Sequence, residues 1–173
     1  LKSENSFRSI KNILFVGHLI KRKNILNLIK AFIKIKDNNI RLTVVGSGKL
    51  EKLCKELSKN DFRIKFLKKI DNNLLPIIYQ KHDLLILPSI EETFGVVMIE
   101  AASQGCQIAS TISGGPEEII KTINNGFLIN GKETDDIYKF LNQVINTNYD
   151  RFSLIKNVLK NYSSEQFIKS LKL

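Results

Sequence analysis

Six short apolar runs, each leading into a segment of helical spacing, constrain this chain most. They are Ile13–Val16, Arg41–Val45, Ile64–Leu67, Leu84–Leu87, Gln107–Ala109 and Phe127–Ile129. Each is bounded by polar or glycine positions, as a strand should be. Near-continuous apolar runs suit parallel strands covered on both faces. Between them the spacing changes. Over Asn24–Lys36 the apolar residues Ile25, Leu28, Ile29, Phe32 and Ile33 fall on one helical face. Further helices are predicted over Leu50–Ser58, Leu74–Gln80, Val96–Gln104 and Glu117–Ile123, then Asp135–Ile145, Arg151–Lys160 and Ser164–Leu171. Repeated strand–helix units predict an α/β fold, a Rossmann-like doubly wound parallel sheet with right-handed crossovers. In such sheets ligands sit beyond the carboxyl ends of the strands, where the strand order switches. The residues just after each strand are therefore the ones to read for function.

The most informative of these is Pro88-Ser89-Ile90-Glu91-Glu92-Thr93-Phe94-Gly95-Val96-Val97-Met98-Ile99-Glu100. Glu92 falls in the loop at a strand end, and Phe94-Gly95 marks the change from strand to helix. Glycine lets the backbone approach a phosphate closely, and the new helix offers free N–H groups and a positive dipole end to an anion. Glu100, with seven residues between it and Glu92, returns to roughly the same face two turns along. It interrupts the apolar residues Met98, Ile99, Ala101 and Ala102, so its carboxylate calls for a partner or a ligand. Either glutamate alone would read as a solvated helix charge.

Three more post-strand segments carry signals. Gly17-His18-Leu19-Ile20-Lys21-Arg22-Lys23-Asn24 opens the first helix with a lysine, which the helix dipole disfavours and a diphosphate would offset. Gly46-Ser47-Gly48 starts like a dinucleotide fingerprint, but Glu51 stands where the third glycine belongs, so a strand-to-helix turn is the reading for this pair. Ser113-Gly114-Gly115-Pro116 sets paired glycines before a proline-initiated helix, a loop whose N–H groups could hold phosphate.

Size and composition bound the rest. The 173 residues predict one domain with a core of its own, 43% hydrophobic and 25% charged, as in ordinary globular chains. No apolar run nears the roughly 20 residues of a membrane-spanning helix and no signal-peptide layout is present. A cytoplasmic place is expected, with peripheral contact at the inner membrane face as an option. The net charge of +10, with Lys21-Arg22-Lys23 and Lys65, Lys68 and Lys69 as local concentrations, favours phosphate-bearing or acidic partners. No aromatic residues interleave the basic clusters and no nucleic-acid motif occurs, so nucleic acid is not an expected partner. Cys54 and Cys106 form no CxxC pair, which argues against structural zinc and for two reduced, quiet thiols. Of two histidines, His82 reads as structural and His18 lies in the first ligand-side loop. No Asp-x-Asp clamp occurs, nor a P-loop or nucleophile elbow. The chain begins with Leu1 and has Met98 as its one methionine, so it reads as cut from something longer.

Taken in order, these motifs resemble the C-terminal domain of GT-B glycosyltransferases, specifically the retaining family 4. That pattern runs G-R-L-x-x-x-K-G, G-x-G, P-S-x-x-E-x-F-G with E-x7-E, then G-G-x-x-E. The chain supplies Gly17, Leu19, Lys23, Gly46, Gly48, Pro88, Ser89, Glu92, Phe94, Gly95, Glu100, Ala101, Gly105, Gly114, Gly115 and Glu118, over roughly residues 10 to 145. The resemblance implies binding of a nucleotide diphosphate sugar and transfer of its sugar to a hydroxyl with retention, in cell-surface polysaccharide or glycolipid synthesis. Lys23 would contact the diphosphate, with Gly17, His18, Gly115 and the Phe94-Gly95-Val96 backbone around it. Glu92, the candidate catalytic residue, would contact donor-sugar hydroxyls, and Glu100 would hold the ribose. The base would lie near Phe66–Leu74. No cofactor is implied and no metal is required.

The chain departs from that pattern in two residues. His18 replaces the usual arginine, which predicts weaker or pH-dependent diphosphate binding unless Lys21 or Arg22 substitutes. Asn24 replaces the glycine after the lysine. The resemblance also implies a missing N-terminal domain that binds the acceptor, with a lipid-linked acceptor as one option, so that this chain alone would transfer nothing. The alternative is a non-catalytic nucleotide-sugar-binding or interaction module of the same fold. A GT-B-fold epimerase shares the donor chemistry, but its family lacks the P-S-x-x-E-x-F-G run.

Overall fold

The computed structural model describes residues 7–68 and 70–162. All six expected strands form, as β2 (Asn12–Val16), β3 (Arg41–Val45), β4 (Ile64–Leu67), β5 (Leu84–Leu87), β6 (Gln107–Thr111) and β7 (Phe127–Ile129). They make one sheet in the order β4-β3-β2-β5-β6-β7, with every neighbouring pair parallel. The chain first builds outward from β2 and then crosses back to start again at β5. The switch in strand order therefore lies between β2 and β5.

The described helices are α1 (Ile25–Ile33), α2 (Glu51–Ser58), α3 (Leu75–Gln80), α4 (Val96–Ser103), α5 (Gly115–Ile123), α6 (Thr134–Val144) and α7 (Arg151–Tyr162). Helix α1 packs against α2 and α6, while α4 packs against α3, α5 and α7, so the sheet is covered on both faces. This is why Leu84–Leu87 reads as an unbroken apolar run; Gln107–Thr111 is also buried at every position, with the Ser110 and Thr111 hydroxyls donating to the Leu87 and Ser89 carbonyls. Helix α1 ends three residues short of the expected Lys36. Helix α5 begins two residues before Glu117, because Pro116 needs no N–H partner in a first turn. The helix expected over Ser164–Leu171 lies outside the described residues. None of the described helices is long and apolar enough to cross a membrane.

Two strands were not legible. Strand β1 (Phe7–Ser9) and β8 (Asn148–Asp150) pair antiparallel as a ribbon of their own. At three residues each, with Arg8, Ser9, Asn148 and Asp150 among them, they carry no apolar alternation. They hold through the ladder and through anchors to the sheet. Tyr149 donates its hydroxyl to the Gly105 carbonyl at 3.1 Å, and the Asp83 carboxylate accepts the N–H groups of Lys11 and Asn12 at 3.1 and 2.8 Å.

His82 is structural, as its sequence context suggests. It is buried, its Nδ1 donates to the Ile78 carbonyl at 2.7 Å, and its Nε2 accepts the Thr43 hydroxyl at 2.9 Å. Burial pushes its pKa below the ordinary 6.5. The neutral ring is thus the folded form, and the unfolded chain binds the proton more readily. Stability is full above about pH 6.5 and falls as the pH drops from there toward the folded-state value. Urea unfolding across pH 7.5 to 5 should record this decline, and His82→Gln should flatten it. An equal slope in both proteins would assign the decline to other groups.

Candidate functional site

The loops that leave β2 and β5 meet at the strand switch, and a backbone hydrogen bond joins them. Ile90 N–H donates to the Arg22 carbonyl at 2.8 Å. The first loop folds into a single 3-10 turn over Lys21–Lys23 and ends on Asn24 in the left-handed conformation, at φ 56°. Asparagine tolerates that region better than most residues. Its side chain also donates to the Lys132 carbonyl at 2.7 Å, pinning the loop to the one before α6. The asparagine that stands in for glycine thus keeps the backbone geometry and adds a tether.

That turn aims Lys23 inward. Lys23 and Glu92 form an ion pair, their side chains 15% and 11% exposed. Ser89 Oγ lies 3.5 Å from the same Glu92 oxygen. The pair sits in a hollow of about 350 Å³, whose wall includes Gly17, His18, Phe94, Gly95 and Val96. Seven of the nine residues singled out from the sequence therefore line one hollow. At its edge α4 begins, and among the described residues the N–H groups of Gly95, Val96 and Val97 donate to no protein acceptor. A lysine ammonium and a free helix N-terminus converge where an anion would enter.

Glu100 lines an adjoining hollow that shares Val97 with the first. Its carboxylate is not enclosed by the apolar residues that flank it in sequence. It is exposed, and its Oε2 accepts the hydroxyl of Tyr79 at 2.9 Å. A third hollow, lined by Val16, Gly17, His18, Gly46, Ser47, Ile70, Asn72 and Leu75, shares Asn72 and Leu75 with that of Glu100. It also shares Val16, Gly17 and His18 with that of Lys23. The three hollows form one groove around the strand ends. Ile70 and Asn72 fall within the segment expected to meet a base.

Gly115 stands apart from the groove. Its N–H donates to the Glu92 carbonyl at 3.0 Å, so it is not free for phosphate. A Cβ there would lie 2.3 Å from the Thr93 oxygen and 2.5 Å from Phe94 Cα. Its role is close approach: it lets the α5 start and the Glu92 loop run side by side, with Glu92 N–H donating to Ser113 at 2.9 Å. Gly46 and Gly48 likewise serve loop packing, as the broken fingerprint implies. Gly17 N–H donates to the Val45 carbonyl, Leu19 N–H to the Ser47 carbonyl, and Leu50 N–H to the Leu19 carbonyl, all within 3.0 Å. His18 is exposed on the groove wall, whereas Lys21 and Arg22 are exposed and line none of the three hollows. Both cysteines are free and buried, and burial pushes the Cys54 thiol up to about 11, well away from reactivity.

A family model described as glycosyl transferases group 1 matches residues 2–161. The chain belongs to this family. An uncharacterized glycosyltransferase of Methanocaldococcus jannaschii is 34% identical over 155 residues, covering 87% of this chain and 40% of that protein. The chain thus spans less than half the length of this relative. The solved C-terminal domain of a glycosyl transferase group 1 family protein (LpcC) from Francisella tularensis superposes with a TM-score of 0.69 at 26% identity, over 94% of this chain and 87% of that one. The Anabaena protein HepE, solved in complex with UDP, shares the fold with a TM-score of 0.76 at 18% identity, over 94% of this chain and 49% of that one. The fold is accordingly the doubly wound half of a GT-B glycosyltransferase. For this group 1 chain, the lysine, both glutamates and the helix start singled out in the sequence all line the groove. Tyr79 was not among them; it lies on α3 and meets Glu100 only because α3 packs against α4.

Proposed function

We propose that this chain is the donor-binding part of a longer glycosyltransferase, one that moves a sugar from a nucleotide diphosphate sugar to a hydroxyl acceptor with retention, in glycan or glycolipid synthesis. The observation that carries the reading is the groove itself. A cation, Lys23, a free helix N-terminus at Gly95–Val97, and two carboxylates, Glu92 and Glu100, line it, the groups that a diphosphate, a sugar and a ribose would need. The diphosphate lies against Lys23 and the start of α4, where developing leaving-group charge is best stabilised. Glu92 meets the donor-sugar hydroxyls, Glu100 the ribose, and the base enters the hollow beside Ile70 and Asn72. The complex of HepE with UDP supports the ligand class. The acceptor site and the second wall of the cleft belong to the part of the protein beyond this chain. Donor binding requires no metal.

The test is thermal unfolding with UDP, GDP, ADP, CDP and TDP at millimolar concentrations. A ligand that binds only the folded state adds RT ln(1 + [L]/Kd), about 2.7 kcal/mol at a hundredfold excess over Kd. At least one nucleotide should raise the melting temperature, with EDTA making no difference. If none does, the reading fails.

A further inference from the structure

Tyr79 is almost wholly buried, 1% exposed, yet its hydroxyl reaches the groove from below and donates to Glu100. Burial, and secondarily the hydrogen bond to Glu100, push the phenol far above its ordinary pKa, so it remains a donor at any physiological pH. An ionised carboxylate offers about four acceptor positions on two oxygens. The phenol occupies one of them on Oε2. Among the described residues no other side chain or backbone group donates to this carboxylate, so Oε1 stays open to the groove. A long, otherwise exposed glutamate is thereby held in one orientation before any ligand arrives.

We propose that Tyr79 is a positioning residue that aims Glu100 at a vicinal diol and so makes the groove prefer ribonucleotides over 2′-deoxyribonucleotides. The proposal rests on the donor-site reading above and deepens it. A ribose donates two adjacent hydroxyls. A carboxylate fixed by the phenol accepts both without losing further side-chain freedom, and such pre-organisation raises affinity with no new contact to the ligand. A 2′-deoxyribose supplies one hydroxyl and gains less. Without the phenol the carboxylate swings in solvent and must be ordered by the ligand itself.

The experiment is calorimetric titration of the 173-residue chain with UDP and 2′-deoxy-UDP, and with the ADP and GDP pairs, alongside urea unfolding. Tyr79→Phe keeps the ring and removes the hydroxyl. It should weaken binding of the ribose form about fivefold and of the deoxy form much less, so the ribose-to-deoxyribose preference narrows. Glu100→Gln should narrow it too, and Tyr79→Phe added to Glu100→Gln should narrow it no further. The preference is a ratio measured on one protein, so a loss of folding stability in Tyr79→Phe leaves it readable. An unchanged preference in Tyr79→Phe, or full additivity in the double variant, would make Tyr79 a core residue and nothing more. Failure of the parent chain to bind any of the six nucleotides would instead remove the nucleotide site and this role together.

Discussion

Gly46→Ala should lower the unfolding free energy by about 3–5 kcal/mol, while Gly17→Ala, at a residue it touches, should change it by less than about 1 kcal/mol. A Cβ at Gly46 would lie 2.0 Å from the Gly17 carbonyl oxygen, which is backbone and part of the loop pairing described above. Neither side can yield without breaking the hydrogen bonds that hold the two loops together. The φ of 140° adds strain for any residue with a side chain. At Gly17 a Cβ meets only the Phe15 ring, at 3.5 and 3.7 Å, an ordinary contact. Urea unfolding of both variants decides the matter. A Gly46→Ala protein as stable as its parent, or a Gly17→Ala protein as damaged as Gly46→Ala, would contradict the loop-packing role.

Lys23→Ala should cost a nucleoside diphosphate about ten- to a hundredfold in affinity, the usual worth of a charge-assisted contact, and cost the bare nucleoside little. Titration with both ligands reads the difference, and equal losses would remove Lys23 as a phosphate ligand. The ion pair with Glu92 adds a second effect. Removing the ammonium strands a largely buried carboxylate whose remaining neighbour is the Ser89 hydroxyl, and an uncompensated buried charge destabilises the fold. Lys23→Ala combined with Glu92→Gln should therefore recover stability without recovering diphosphate binding. That separation tells a ligand contact from a structural ion pair, since recovery of both together would assign Lys23 to the fold alone.

The parts legible in the sequence were those written in local pattern. The six sheet strands announced themselves because both faces are covered, and the run from Pro88 to Glu100 announced the site because a helix start and two carboxylates fall within one segment. What stayed hidden depends on neighbours distant in the chain. Phe7–Ser9 and Asn148–Asp150 become strands through each other and not through their own residues. Gly115 looked like a phosphate contact, but its N–H is spent on Glu92. Asn24 looked like a minor departure, but a left-handed φ and a bond to Lys132 make it a loop anchor. Glu100 called for a partner from its flanking residues, but that the partner is Tyr79 depends on the packing of α3 against α4.

The β1–β8 ribbon has a practical consequence. It leads directly into the amino end of β2 and is anchored at Gly105, just before β6, so it lies at the pole of the sheet opposite the groove. A tether attached ahead of Phe7 would join the molecule at that far pole. On a sensor surface the groove would then face the flowing solution, and nucleotide titrations could be run on immobilised protein without the surface crowding the ligand.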